Sequence, residues 1–247
     1  VALVTDDNSL LDEAWYLQKE LLRHKGIPVS LQAKRQNMAI ILSKEKSSKK
    51  TNGAYTIKMT PSSVEIIGAD DDGVFNGIVS FVQMATAVDS KNNNLPLNCW
   101  NITDAPLYQW RGLMLDESRH FFGKEKVKSL LDWMAFYKLN KFHWHLTDEP
   151  GWRIQIKKYP FLSLIGGIGS FTDSLAPTAY YTQEEIKEVV AYAAERKIEV
   201  IPEIDMPGHA RAANRAYPQF SGGGSAKYPD FTFDPGNPGT YQYMTDI

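Results

Sequence analysis

The chain has 247 residues, 43% hydrophobic and 23% charged, the mix of a soluble globular protein with room for one or two domains. Its 27 basic and 29 acidic residues leave a net charge of -2, which argues against a nucleic-acid or anionic-membrane partner, since both favour a basic field. Cys99 is the only cysteine, so no intrachain disulfide forms, and no apolar run reaches the roughly 18–20 residues of a membrane span.

The first hundred residues read as α+β. "LLDEAWYLQKELLRHKG" (10–26) predicts an amphipathic helix, with Leu10, Ala14, Leu17 and Leu21 near one face and Gly26 as a stop. "MAIILS" (38–43) predicts a buried strand, and "SKEKSSKK" (43–50) a solvated loop. "AYTIKMT" and "VEIIGA", joined by "PSS", predict a hairpin. "GVFNGIVSFVQMATA" (73–87) predicts a second helix, and "NITDAPLYQW" (101–110) a linker. Helices beside antiparallel strands make a two-layer domain over residues 1–105.

From 106 to 247 the pattern alternates. "RGLMLDE", "KFHWHLTD" and "IEVIPEID" read as strands. Between them, "KEKVKSLLDWMAFYK" carries Val127, Leu130, Leu131 and Met134 at helical spacing. "YTQEEIKEVVAYAAERK" has Thr182 and Glu185 in capping-box register. Such alternation implies parallel strands with crossover helices, in a (β/α)8 barrel or an open doubly wound sheet. Each strand ends in acids: Asp116–Glu117, Asp148–Glu149, and Glu203 with Asp205. Polar residues massed at strand ends suit a barrel, and a glycine-rich phosphate loop is lacking after the first strand. Residues 107–247 fall well short of the roughly 250 that a barrel takes, so the expectation is an incomplete (β/α)8 TIM barrel that continues past Ile247. "TYQYMTDI" looks like the opening of another helix. The chain starts on Val1, compatible with a trimmed start.

"FHWHLTDEPGW" (142–152) concentrates the chemistry. His143 and His145 at i and i+2 share one side of a strand, and with Asp148 and His209 they could hold a zinc ion, which leaves a metal-dependent barrel hydrolase open. Arg111, Asp148, Glu203, Asp205 and His209 could equally hold sugar hydroxyls, and Trp110, Trp144 and Trp152 could stack a sugar ring. Each residue also has a plainer role: Arg111 as a surface ion pair, Asp116 and Arg119 as a loop-ordering pair, Trp144 as packing. Composition and spacing alone stop at a hydrolytic barrel of open substrate.

The run "WRGLMLDESRHFFGKEKVKSLLDWMAFYKLNKFHWHLTDEPGWR", followed by "IPEIDMPGHA", resembles the β-N-acetylhexosaminidases of glycoside hydrolase family 20 through most of residues 107–210. Residues 1–105 resemble the small α+β domain that precedes the barrel in that family. The resemblance implies an exported exo-β-N-acetylhexosaminidase without a cofactor, acting on glycoconjugates that end in GlcNAc or GalNAc. It implies substrate-assisted retaining catalysis, in which the 2-acetamido oxygen attacks the anomeric carbon. Its Asp-Glu pair, expected in a "GGDE" motif after a fourth strand, is absent here, and "SGGGS" (221–225) lacks the acids. The resemblance assigns Arg111 to sugar hydroxyls in the −1 subsite and Asp148 with His209 to support of the acid. His145, Glu203 and Asp205 are expected behind them. A non-catalytic carbohydrate-binding relative is the remaining alternative. The fragment alone is expected to be inactive and to self-associate through uncovered apolar edges.

Overall fold

The computed structural model describes residues 1–5, 7–32, 38–45, 51–89 and 95–247. The chain divides into two compact units. The first comprises Val1–Arg111 with Met134–Leu139 and Glu195–Lys197, and the second Gly112–Trp133, Asn140–Ala194 and Ile198–Ile247. Among the described residues, no helix is long and apolar enough to cross a membrane.

The first unit opens with strand β1 (Ala2–Thr5) and helix α1 (Leu11–Lys25). Ala14, Leu17 and Leu21 of α1 are buried, and each fully buried leucine contributes roughly 1.5–3 kcal/mol relative to exposure. Gly26 ends the helix at φ 65, where it lacks the Cβ that disfavours this region, and its N–H returns to the last turn. Strands β2 (Ser30–Leu31), β3 (Ala39–Lys44), β4 (Tyr55–Thr60) and β5 (Ser63–Gly68), helix α2 (Asp71–Thr86) and strand β6 (Asn101–Asp104) follow. Asp70 caps α2 by accepting from the Gly73 N–H. Leu17, Leu42, Ile57, Ile66, Ile78 and Val82 share one core cluster.

Two expectations change here. The sheet, in order β2-β1-β3-β5-β4-β6, is mixed rather than antiparallel. β1 runs parallel to β2 and β3, and β3 to β5, while β4 is antiparallel to β5 and β6. The linker reading of 101–110 also gives way at its start, because Asn101–Asp104 pairs with β4. Most of its side chains are exposed, so this edge strand shows no apolar alternation. Of the charged run 43–50, residues 46–50 lie outside the described residues. Lys44 ends β3 and pairs with Asp7 and Asp71.

The second unit holds strand β7 (Gly112–Asp116), most of helix α3 (Lys124–Phe136), strand β8 (Lys141–His145), short helix α4 (Phe161–Leu164), helix α5 (Gln183–Ala194) and strand β9 (Glu199–Glu203). Helix α6 (Arg211–Ala216), strands β10 (Ser221–Gly223) and β11 (Thr232–Phe233), and helix α7 (Pro238–Asp246) complete it. α5 starts on the expected box: Glu185 N–H donates to Thr182 Oγ1 at 3.1 Å, and Thr182 N–H to Glu185 Oε2 at 3.0 Å. β7, β8 and β9 are parallel, in register Asp116↔His145↔Glu203. That register aligns three ionisable residues in one row at the carboxyl ends of the strands.

Candidate active site

The row is joined by the turn after β8. Asp148 N–H donates to Gly151 O at 3.2 Å, and Thr147 bridges Trp152, so "TDEPGW" folds back and presents Asp148 above the strand ends. The Asp148 side chain is only 2% exposed, yet both oxygens are doubly engaged. Oδ1 lies 3.0 Å from His209 Nδ1 and accepts from the Glu149 N–H at 2.6 Å. Oδ2 lies 3.0 Å from His145 Nε2 and 2.6 Å from Arg119 NH2. Burial alone would raise the Asp148 pKa. The bonds from His145 and the Glu149 amide, with the charge of Arg119, hold it below the ordinary carboxylate value.

His145 faces carboxylates on both nitrogens. Nδ1 stands 3.0 Å from Glu203 Oε2, an ionic contact rather than an aligned hydrogen bond. At Nε2 it meets an acceptor, Asp148 Oδ2, and a donor, Arg119 NH1, each at 3.0 Å. The carboxylates prevail: the bond to Asp148 chiefly, then Glu203, push its pKa up to about 9 against burial, so the ring is an imidazolium at neutral pH. His143 Nε2 also contacts Glu203 Oε2, which puts both rings on the expected side of β8. Asp205 follows β9, and its N–H donates to Thr147 Oγ1 at 2.9 Å. Burial raises the carboxyl pKa of Glu203 and of Asp205. Bonding to His145 and Asp205 turns Glu203 downward, while its bond to Glu203 drives Asp205 further up.

The structure therefore brings Asp148, His145, His209, Glu203 and Asp205 together. Arg111 belongs to the first unit, where Nε donates to Lys138 O at 2.7 Å and NH1 to Tyr108 O at 2.8 Å. The arginine of the cluster is Arg119, whose NH1 stands 2.7 Å from Asp116 Oδ2 while NH2 holds Asp148. The i,i+3 pair Asp116–Arg119 was legible, but its link to Asp148 is not local in sequence. Trp144 and Trp152 are buried and offer no face to a ligand. Trp144 packs on Tyr181, with ring centroids 4.8 Å apart. Trp110, in the first unit, is exposed.

Sequence reasoning also missed two buried charges. Glu117 accepts from Tyr181 Oη and from the Phe122 N–H, each at 2.7 Å, and burial raises its pKa. Arg153 donates to the carbonyls of Glu117, Gly167, Ala179, Ser118 and Gly169. Burial lowers its pKa to about 10. It ties the loop after β7 to the loop that leads into α5.

Two donor groups are close enough to share a cation, His145–Asp148–Asp205 and Asp148–Glu149–His209. Neither contains His143, and among the described residues no donor group contains both strand histidines. A metal needs neutral imidazole and free carboxylate lone pairs. Both groups rest on Asp148, whose Oδ2 already faces the Arg119 guanidinium at 2.6 Å and whose Oδ1 accepts from the Glu149 N–H at 2.6 Å.

Residues 1–105 match domain 2 of glycosyl hydrolase family 20, and residues 108–247 match that family's catalytic domain. A β-hexosaminidase of Porphyromonas gingivalis is 44% identical over 171 residues, covering 68% of this chain and 22% of that protein. A β-hexosaminidase of Vibrio furnissii is 40% identical over 209 residues, 78% of this chain and 34% of that protein. The crystal structure of a Vibrio harveyi family 20 exo-β-N-acetylglucosaminidase in complex with N-acetylglucosamine superposes at TM-score 0.86 with 31% identity, covering 99% of this chain and 40% of that one. A Bacteroides fragilis β-N-acetylhexosaminidase superposes at TM-score 0.86 with 33% identity, over 100% of this chain and 49% of that one. The chain thus spans between about a fifth and a half of the relatives it matches, and β7–β9 are part of the (β/α)8 barrel. With both domain matches in chain order and the fold in agreement, the chain belongs to glycosyl hydrolase family 20.

Proposed function

We propose that the full-length protein is an exo-β-N-acetylhexosaminidase that releases terminal GlcNAc or GalNAc from glycoconjugates outside the cytoplasm. The observation that carries this reading is the saturated Asp148 carboxylate beside His209, whose ring is 47% exposed. A buried, fixed anion behind a solvent-facing imidazole sets the orientation and tautomer of that imidazole, and so the place of an acid standing on it. In this reading the sugar's 2-acetamido oxygen attacks the anomeric carbon, and the C1–oxygen bond to the leaving group breaks. A glutamic acid protonates the departing oxygen, and its aspartate neighbour holds the acetamido group. That Asp-Glu pair is expected after a fourth strand, and no Gly-Gly-Asp-Glu occurs within residues 1–247. Arg119, rather than Arg111, takes the sugar hydroxyls, since its guanidinium is fixed by Asp116 and Asp148 and remains partly exposed.

The test is turnover of aryl N-acetyl-β-glucosaminide and N-acetyl-β-galactosaminide by the full-length gene product. Hydrolysis with retention, slowed by successive fluorination of the acetamido methyl, is expected. An inactive full-length protein, or a rate indifferent to that fluorination, overturns the proposal.

A further inference from the structure

We infer that Phe171 is an aromatic platform for the leaving-group side of the substrate, the ring on which an aglycone sugar stacks. The inference rests on the hexosaminidase reading and adds to it a residue that selects the leaving group. Phe171 is 74% exposed and so presents its ring to solvent. Its N–H donates to Arg119 O at 2.9 Å, so it stands directly against the residue whose guanidinium grips Asp148. The His120 ring lies edge-on, with centroids 6.5 Å apart.

The mount is rigid for identifiable reasons. Ser170 N–H donates to Asp173 O at 2.7 Å, and Gly169 N–H to Ala176 O at 2.9 Å, which closes the loop on itself. Gly169 makes the reversal at φ 91, a conformation costly for a residue with a Cβ. Its carbonyl accepts from buried Arg153 NH2 at 2.6 Å. Thr172 Oγ1, 3.2 Å from His120 Nε2, sets a hydroxyl beside the ring. An exposed aromatic face, tied through its backbone to Arg119 and followed by the Thr172 hydroxyl, matches a pyranose with one apolar face and polar edges.

The experiment compares kcat/KM of the full-length protein on N,N'-diacetylchitobiose and on methyl N-acetyl-β-glucosaminide. The two share the released sugar and an alkoxide leaving group, but only the first has an aglycone ring. Phe171→Ala is expected to lower kcat/KM on the disaccharide by about 2- to 10-fold and leave the methyl glycoside unchanged. Phe171→Trp retains the disaccharide rate, and Leu175→Ala on the same loop changes neither. Equal losses on both substrates, or none on the disaccharide, overturn the platform while the hexosaminidase reading stands. Failure of the unsubstituted protein on both substrates overturns that reading and the platform with it.

Discussion

His209 Nδ1 stands 3.0 Å from Asp148 Oδ1 although 61 residues separate the two in the chain. His209 reaches it from a left-handed backbone, φ 54, which costs a non-glycine residue about 1 kcal/mol. The conformation is held by Ala210 N–H on Phe231 O and by the Phe231 ring, 5.0 Å from the imidazole. Strain retained by such bracing marks a position where geometry serves the site.

Asp148→Asn in the full-length protein keeps the shape but replaces the anion that faces His145, His209 and Arg119. A fall in kcat of about 100-fold or more is expected, with a displaced pH–rate profile. Asp148→Ala also leaves buried positive charge without its partner, and is expected to cost about 3–5 kcal/mol of stability in denaturant titration.

The two arginines separate cleanly. Arg119→Lys cannot reproduce a fork that spans Asp116 and Asp148, and kcat/KM is expected to fall at least 10-fold. Arg111→Ala removes donors to two carbonyls and is expected to cost roughly 2 kcal/mol in stability with little change in kcat/KM. Steady-state kinetics beside thermal melts of both variants decide; the reverse pattern restores Arg111 to the sugar.

His145 gives stability a definite pH dependence. Its pKa is raised from 6.5 to about 9 by folding, so its stabilisation is complete below pH 6.5 and disappears as pH climbs through 9. Asp148, shifted the other way, contributes above its unfolded value and loses that contribution in acid. Imidazole NMR titration should place one histidine near pH 9, absent in His145→Gln. A ring titrating near 6.5 would refute the pairing.

On β7, Leu113 and Met114 are 37% and 54% exposed, whereas strands of a parallel sheet are ordinarily covered on both faces. The 247-residue chain expressed alone is expected to associate in sedimentation experiments and to show no turnover of an aryl N-acetyl-glucosaminide. Leu113→Lys with Met114→Lys should reduce the association. A monodisperse monomer, or a measurable rate, contradicts these expectations.

What the sequence discloses follows from the range of each interaction. α1, α2 and α5 carry their caps and apolar faces within a few residues, and β7 to β9 are short apolar runs between helices. β1 and β6 stayed hidden because four-residue strands, one of them a largely exposed edge, leave little periodicity. Asp148, His145, His209, Glu203 and Asp205 came through motif order. The contact of Arg119 with Asp148 was not legible, because its local partner, Asp116, sufficed to explain it. Only the turn at 147–152 brings Asp148 over to it, and that approach is tertiary. Trp152 misled for a related reason: an aromatic residue suits a core as well as a ligand, and its burial is decided by tertiary neighbours.

All five acceptors of Arg153 are main-chain oxygens. The clamp consequently reads the path of the loop at 167–179 and is blind to its side chains. Residues such as Phe171 and Leu175 are free to diversify without loosening the scaffold, whereas a single insertion would move the carbonyls out of reach.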